Sequence, residues 1–187
     1  MNRYTLFETP IGTCAIAWCG GQIVSTNLPE DSDEATAARI VRRAGAVESE
    51  APEFILGVSA RIRRLLSGER VDLTDIPCDF GEADEFQVKV YEATRAVPPG
   101  RTTTYGELAV KMGDRHLAQN VGRAMGANPI PIIVPCHRVL GANGKLTGFS
   151  AHGGVNTKLR MLAIEGAQIG EDPGLFDDLP TLLRPDE

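Results

Sequence analysis

The sequence predicts an α+β protein in which a small antiparallel sheet with packed helices precedes a mostly helical second half. Short apolar runs separated by turn residues dominate residues 4–26, whereas apolar residues recur at helical spacing from residue 85 onward. The chain has 187 residues, of which 42% are hydrophobic and 24% are charged. This composition is typical of a folded globular protein and excludes intrinsic disorder as the ground state.

The first three predicted elements are strands, at residues 4–7, 14–18 and 22–26. The turn signal Thr9-Pro10-Ile11-Gly12 separates the first two strands, and Gly20-Gly21 separates the second from the third. Because both connections are short, neighbouring strands are expected to run antiparallel and to form a meander.

Two helices are predicted next. Acidic residues 30–34 open the first, which runs through Arg43, and Pro52 opens the second, which runs to Ser67. The second helix is expected to bury an apolar face made of Phe54, Ile55, Val58, Ile62, Leu65 and Leu66. Packed on the sheet, the two helices would complete an N-terminal α/β domain, residues 1–80.

Glycine, proline and acidic residues between 68 and 84 predict a connection to a second domain, residues 85–168, which an acidic tail follows at 169–187. The net formal charge is −6 over residues 1–84, +5 over 85–168 and −5 over 169–187. A basic segment between acidic ones would attract a polyanion locally, since screening confines its field to about 10 Å. The other interpretation is a chance excess of cations on a solvated surface.

Helices are predicted at both ends of the second domain. One runs from Glu85 to Val97, where Pro98-Pro99-Gly100 stops it, and the last covers residues 156–167. Between them, the apolar run Pro129 to Val134 contains two prolines, which exclude a helix and a central strand. This run is expected to form a fixed, extended wall.

A helix-turn-helix pattern precedes that run. Thr104 and Glu107 fit a capping box at the start of a short helix, 105–112, and a second helix is expected over 115–127 after Gly113-Asp114. The pattern alone is weakly specific, because many helical hairpins share it. Its position inside the basic segment favours a nucleic-acid partner.

Cys136 and His137 follow the proline-rich run directly. A thiol with an ordinary pKa of about 8.5 is mostly protonated at neutral pH, so a neighbouring base such as His137 would activate it as a nucleophile. Adjacent side chains of an extended segment point to opposite faces, so a water or a local turn would have to connect them. An inert buried thiol beside a surface histidine, and a Cys–His hydrolase or peptidase, are the other interpretations.

The remaining cysteines, Cys14, Cys19 and Cys78, form no CxxC pair. All four thiols are therefore expected to be free, in a reducing compartment. No partners are found near Cys19 that would complete a zinc site, so no metal and no cofactor are predicted.

Residues 128–139, Asn-Pro-Ile-Pro-Ile-Ile-Val-Pro-Cys-His-Arg-Val, resemble the active-site signature of the O6-alkylguanine-DNA alkyltransferases. The resemblance covers residues 4–168 and is strongest from residue 86 onward. Further segments that resemble the family are Thr9 to Gly12 for its first hairpin, Thr104 to Ala109 for its first helix, Val121 to Met125 for its recognition helix, and Gly148 to Gly166 for its closing loop and helix.

The resemblance implies a ribonuclease H-like N-terminal domain and a winged helix-turn-helix-like second domain. It also implies direct reversal of DNA damage, in which an alkyl group on O6 of guanine, or on O4 of thymine, moves to Cys136 in one step. An S-alkyl thioether has no electrophilic carbonyl and no good leaving group, so water cannot regenerate the thiol. One turnover per molecule is therefore expected.

The resemblance also implies roles around the thiol. Cys136 is linked through a water to His137, which contacts Glu165. Asn128 braces the turn that carries the thiol, and Tyr105 helps to protonate the departing guanine. The substrate pocket that the resemblance implies is made of Met125, Phe149, Ser150 and the backbone carbonyls of Cys136 and Val139.

A base inside a duplex is out of reach, so the nucleotide must be swung out at a cost of a few kcal/mol. The resemblance implies contact with the minor groove of double-stranded DNA through Thr104, Ala118, Gln119, Asn120, Gly122, Arg123 and Arg138. Arg123 could equally be an ordinary surface charge. Gln119 stands where the family has an arginine that fills the space of the flipped base. Glutamine carries no charge and has less stacking surface, so weaker stabilisation of the open duplex is expected.

Gln119 also keeps a second function open, a sensor that binds alkylguanine lesions with little repair activity, although such relatives lack the acceptor cysteine that Cys136 provides. Under either function the partner is double-stranded DNA that contains O6-alkylguanine. No apolar run is long enough to span a membrane, and the first residues lack the apolar stretch of a secretory signal. A cytoplasmic location is therefore expected, and the protein is also expected to be a monomer.

Overall fold

The structure is a computed structural model that describes residues 1–167, and the predicted acidic tail lies outside the described residues. The chain forms a mixed α+β fold. Its first three strands are the predicted antiparallel meander, with β1 (Arg3–Thr9), β2 (Gly12–Cys19) and β3 (Gln22–Asn27). Gly12 has φ +122°, a backbone conformation that the tight β1–β2 turn needs and that glycine adopts without strain.

The prediction of a purely antiparallel sheet is wrong at one edge. A two-residue strand, β4 (Val47–Glu48), pairs with β1 in parallel, so the sheet order is β3-β2-β1-β4. Two residues are too few for a periodic signal, so the sequence pattern could not reveal this strand.

Two helices accompany the sheet. Ser32 caps α1 (Asp33–Ala44) by accepting a hydrogen bond from Ala35 N at 3.2 Å, and Gly45 ends the helix in the left-handed conformation. The second helix, α2 (Glu53–Leu66), buries the residues predicted to face inward except Phe54, which is 37% exposed. Phe54 is rotated about 100° around the helix from its buried neighbour Ile55, and so leaves the apolar face.

Four further helices make up most of the second half: α3 (Glu85–Arg95), α4 (Tyr105–Lys111), α5 (Ala118–Gly126) and α6 (Val155–Ile164). The predicted capping box of α4 is present, with Thr104 Oγ1 accepting from Glu107 N at 3.1 Å and Thr104 N donating to the Glu107 carboxylate at 2.8 Å. The predicted helix at 115–127 begins as a 3-10 turn, Arg115–Leu117, before α5 starts.

A two-residue parallel ladder joins distant parts of the second half. Strand β5 (Thr103–Thr104) pairs with β6 (Val139–Leu140), which follows the Cys136 segment. The ladder therefore brings the start of α4 next to the chain that carries the candidate thiol.

One apolar core connects the two halves. It contains side chains from the sheet, from α2, from α3 to α5 and from α6, among them Ile16, Ile55, Val90, Val121 and Met161. The two halves therefore pack directly against each other. Within residues 1–167, no helix is both long and apolar enough to cross a membrane.

Candidate active site

The segment before Cys136 is a tight turn, which corrects the prediction of an extended wall. Val134 N donates to Ile130 O at 2.9 Å, and Pro131 forms an isolated bridge with Val134. Ile132 has φ +77°, a conformation that is rare for a β-branched residue and that costs about 1–3 kcal/mol. Its side chain is buried, so packing of the apolar core helps to hold the strained turn.

Asn128 braces this turn at both ends. Its side-chain Nδ2 donates to Val134 O at 2.9 Å, and its Oδ1 accepts from Ile130 N at 2.9 Å. Asn128 is itself buried, so both hydrogen bonds are shielded from competition with water. The predicted bracing contact of Asn128 is therefore present.

Strand β3 holds the same turn from the other side. Ser25 Oγ donates to Pro129 O at 2.9 Å, Thr26 N donates to the same oxygen at 3.3 Å, and Thr26 Oγ1 donates to Pro131 O. These prolines supply carbonyl acceptors but no N–H donors. The N-terminal sheet thus fixes the backbone that leads to Cys136.

Cys136 begins a 3-10 turn, Cys136–Arg138, and its side chain is buried. Burial raises the pKa of the thiol above its ordinary value, while the Asn128 amide and the positive charges of Lys158 and Arg43 partly oppose that rise. The resting group is therefore the thiol, and a base must take its proton before sulfur can attack carbon. The four cysteines are all free, as predicted.

His137 is fully buried, and its Nε2 lies 2.8 Å from Glu165 Oε1. Burial lowers the pKa of His137 despite the carboxylate beside it, so the ring is neutral at pH 7. Because Nε2 faces a carboxylate, that nitrogen carries the proton and donates it, which leaves Nδ1 as an acceptor. Within residues 1–167, Nδ1 has no hydrogen-bond partner, so the ring makes no direct bond to the thiol.

Glu165 follows α6 directly and forms a buried ion pair with Arg138. Arg138 Nε lies 2.9 Å from Oε2 and Nη2 lies 2.8 Å from Oε1, a bidentate arrangement. Burial raises the pKa of Glu165, but His137 and Arg138 outweigh it and lower the pKa to about 2. The carboxylate is therefore ionised and fixes the orientation of the histidine ring.

The prediction that Arg138 contacts DNA is wrong. Its side chain is only 5% exposed, and its remaining Nη1 donates to Val97 O at 2.6 Å. A guanidinium with these internal partners is not presented to a phosphate. The sequence gives Arg138 a place in the basic segment, but the fold pairs it with Glu165.

A small cavity of about 20 Å³ lies beside the thiol, room for about one water molecule. Its lining includes two predicted pocket residues, Phe149 and Ser150, together with Asn128. Two arginines of α1, Arg39 and Arg43, also line it. Nothing in the local sequence around Cys136 pointed to these arginines.

A second, shallow groove of about 330 Å³ runs along α5. It is lined by Tyr105, Ala118, Gln119, Gly122, Thr147 and Gly148. The Tyr105 hydroxyl accepts a hydrogen bond from Thr147 Oγ1 at 3.4 Å, and Gln119 is exposed. Asn120 and Arg123 are exposed on the same helix, while Thr104 is half-buried at the cap of α4. Apart from Arg138, the residues predicted to contact DNA thus lie on or beside one accessible face.

Two residues predicted for the substrate pocket are buried. Met125 Sδ accepts from Thr94 Oγ1 at 3.7 Å, and Val139 O accepts from Lys158 Nζ at 2.6 Å. Lys158 is fully buried, and sequence reasoning missed it. Its spacing from the buried Met161 and Leu162 on α6 was the available signal, because a lysine on an apolar helical face needs an internal partner.

Comparison with known proteins identifies the class. Residues 85–167 match the family described as 6-O-methylguanine DNA methyltransferase, DNA binding domain. The methylated-DNA–protein-cysteine methyltransferase of Mycobacterium bovis is 35% identical over 177 residues, which cover 95% of this chain and 100% of that protein. The protein of the same name from Methanosarcina acetivorans is 37% identical over 166 residues, 88% of this chain and 98% of the relative.

A solved structure leads to the same class. The crystal structure of Mycobacterium tuberculosis OGT in complex with DNA superposes with a TM-score of 0.71 at 33% identity, covering 87% of this chain and 92% of that one. The chain belongs to the methylated-DNA–protein-cysteine methyltransferase family.

Proposed function

We propose that this protein repairs DNA by direct reversal: it moves the alkyl group of O6-alkylguanine, and of O4-alkylthymine where that base enters the site, to Cys136. The observation that carries the proposal is the buried Cys136 thiol in a braced turn, followed by a neutral His137 that is held by an ionised Glu165. This arrangement lies in a chain that aligns along 95% of its length with methylated-DNA–protein-cysteine methyltransferases.

The reaction begins with loss of the thiol proton. Because His137 Nε2–H is committed to Glu165, Nδ1 is the atom that accepts the proton of Cys136, and a bridging water carries it there. Glu165 stays ionised and stabilises the imidazolium that forms. A neutral histidine of lowered pKa releases that proton again once the reaction is over.

The thiolate then attacks the alkyl carbon. The Sγ–C bond forms as the C–O6 bond breaks, and the bonding electrons leave with guanine. Tyr105 donates a proton to the departing base and is reprotonated by the proton that left the thiol, so charge and protons balance. The product is an S-alkyl thioether that water does not cleave, so each molecule reacts once.

The lesion reaches the thiol as a flipped nucleotide. The cavity beside Cys136 holds about one water, so the loop that carries Phe149 and Ser150 has to move before a base can enter. Met125 then packs near the base, and the carbonyls of Cys136 and Val139 accept from its exocyclic amine. Entry of a base into this volume displaces water and excludes it from the reacting atoms.

Helix α5 is the element that we propose to lie in the minor groove. Its face carries the small residues Ala118 and Gly122, which permit close approach, beside exposed Gln119, Asn120 and Arg123. Gln119 occupies the space left by the flipped base and hydrogen-bonds to the orphaned partner. Thr104, at the α4 cap, lies at the edge of this face.

We also propose a fold type for each of the two domains. Residues 1–80 form a ribonuclease H-like domain, an assignment supported by the three-stranded meander with a parallel edge strand and by its two packed helices. Residues 85–168 form a winged helix-turn-helix-like domain, supported by the α4–α5 pair and the short β5–β6 ladder. The monomeric state and the cytoplasmic location stay predictions.

Intact-protein mass spectrometry tests the function. The protein is mixed with a duplex that contains one O6-methylguanine, and the adduct is mapped to a peptide. We expect one methyl group per molecule, on the Cys136 peptide, and none in Cys136→Ala. Cys19→Ser, which removes a half-exposed thiol, is the matched control and is expected to react like the parent. A methyl group on another cysteine, or repeated turnover, would contradict the proposal.

The second candidate function, a lesion sensor, rests on Gln119 in the position of the family's arginine. It predicts that the duplex is retained without any gain of mass, and that Cys136→Ala binds the lesion as the parent does. A Cys–His hydrolase leaves the accessible α5 face without a role, and it predicts acyl or peptide turnover in the absence of DNA.

A further inference from the structure

Two arginines reach the candidate site from a part of the chain that lies outside the matched DNA-binding segment. Arg39 and Arg43 are one helical turn apart on α1, and both line the cavity that contains Cys136. Roughly ninety residues separate them from the thiol along the chain, as the numbering shows. Their presence at the site is therefore a product of how the two halves pack.

Arg43 makes a specific contact there. Its Nη2 donates to the backbone carbonyl of Asn128, and the guanidinium is partly buried at this contact although the residue as a whole is exposed. Asn128 is the residue whose side chain spans the turn from Ile130 to Val134. A donor on its carbonyl fixes the peptide plane between Asn128 and Pro129, and with it the direction of the bracing amide.

The charge of Arg43 is not neutralised by a neighbour. Arg39 pairs with Glu30 at 2.6 Å and donates to Ser150 O at 3.1 Å. In the part of the chain that the structure describes, no carboxylate lies within ion-pair distance of Arg43. Burial and the charge of Arg39 lower the pKa of Arg43, and a negative charge on Cys136 would raise it. The interaction is reciprocal, so Arg43 also favours the thiolate form of Cys136.

We infer that Arg43 is a positioning residue for alkyl transfer, supplied by the N-terminal half: its hydrogen bond holds Asn128, and its unpaired positive charge lies at the cavity that Cys136 also lines. The inference rests on the proposed function, in which that thiolate attacks the alkyl carbon. It gives α1 a part in the reaction beyond packing on the sheet.

Three variants separate charge from structure. Arg43→Gln removes the charge but keeps an amide donor, Arg43→Lys keeps the charge, and Arg42→Gln removes a neighbouring exposed charge that makes no contact with the site. Two quantities are measured for each. One is the single-turnover rate of methyl transfer from an O6-methylguanine duplex, with the duplex saturating. The other is the pH profile of Cys136 alkylation by iodoacetamide, followed on the Cys136 peptide without DNA.

We expect Arg43→Gln to slow transfer and to move the alkylation midpoint to higher pH, because the variant lacks a positive charge that favours the thiolate and the guanidinium that holds Asn128 O. Arg43→Lys should restore the midpoint and part of the rate, because an ammonium is a point charge without the planar guanidinium geometry. Arg42→Gln should match the parent in both measurements. Denaturant unfolding of each variant checks that the fold is retained.

Equal alkylation midpoints for the parent and Arg43→Gln would overturn the inference, whether or not transfer slows. So would an equal loss of rate in Arg42→Gln, which would indicate that the rate responds to the net charge of α1 and not to the contact between Arg43 and Asn128. Failure of the proposed function is a distinct result: the parent would then transfer no methyl group from the duplex, while the iodoacetamide profile would still report what Arg43 does to the thiol.

Discussion

Replacing Arg138 with methionine is expected to destabilise the fold and to leave the electrostatics of DNA binding unchanged. Arg138 is buried, holds both carboxylate oxygens of Glu165 and donates to Val97 O at 2.6 Å. Methionine is unbranched and apolar like the stem of arginine and keeps its apolar contacts, but it is shorter and removes every donor. Glu165 is then left as a buried carboxylate with His137 as its remaining side-chain partner.

The size of the destabilisation depends on the ionised state of the Glu165 carboxylate. The pKa of Glu165 is about 2 in the folded protein against an ordinary 4.5, and His137 and Arg138 together produce this lowering against the effect of burial. Breaking a buried ion pair by removing one partner costs about 3–5 kcal/mol in proteins generally. We therefore expect Arg138→Met to lower the free energy of unfolding by about 3–5 kcal/mol.

The lowered pKa of Glu165 also determines how the free energy of unfolding depends on pH. The folded state keeps Glu165 ionised at pH values where the unfolded chain protonates it, so the stabilisation is fully present above about pH 4.5. It is lost as the pH falls through the folded-state value of about 2. Without Arg138 the folded-state pKa of Glu165 rises, so Arg138→Met should lose less stability than the parent between pH 4.5 and 2.

Urea unfolding monitored by tryptophan fluorescence at several pH values measures both effects. Arg64→Met is the matched control, because Arg64 and Glu69 form an exposed pair in which the two side chains are 59% and 51% exposed. Its cost should stay below about 1 kcal/mol. The reasoning is refuted if Arg138→Met costs no more than this control and instead lowers the slope of log binding constant against log salt by about one, as loss of a phosphate contact would.

Three further outcomes are expected. Gln119→Arg should tighten binding to a lesion-containing duplex, because arginine adds charge and stacking surface; unchanged or weaker binding in a fluorescence anisotropy titration would contradict this interpretation. Thr104→Ala removes the α4 capping box and should cost about 0.5–2 kcal/mol of unfolding free energy in urea titrations, and a loss below 0.3 kcal/mol would show that the cap does not stabilise the helix. Arg39→Gln removes the donor to Ser150 O and should speed amide hydrogen exchange in the loop at residues 148–154; exchange as slow as in the parent would mean that this contact does not hold the loop.

Much of the molecule could be predicted from local sequence. The strands and helices appear where alternation, helical periodicity and capping residues place them, and the Thr104 capping box is present as predicted. These signals are reliable because they act over three or four residues, within one turn of helix or one hairpin. The signature around Cys136 likewise predicted the thiol and His137, and the family resemblance implied Glu165, before any geometry was available.

Other features depended on contacts between distant segments. The strand β4 is too short to leave a pattern, and the positive φ of Ile132 follows from bonds that Asn128 and β3 make to its turn. Sequence reasoning missed Lys158 because a lysine is stable inside the protein only when an acceptor lies near it. Here that acceptor is Val139 O, which is 19 positions away in the chain.

The sequence by itself determined the class of fold and the family, and it predicted Cys136 as the reactive thiol. Only the tertiary structure decided which groups the positively charged side chains contact. Arg138 pairs with Glu165, while Arg43 donates to Asn128 O from the other half of the chain. Composition counts a positive charge equally wherever it stands. The free energy of that charge depends on burial and on which carboxylate or carbonyl the fold brings near it, and those are long-range properties.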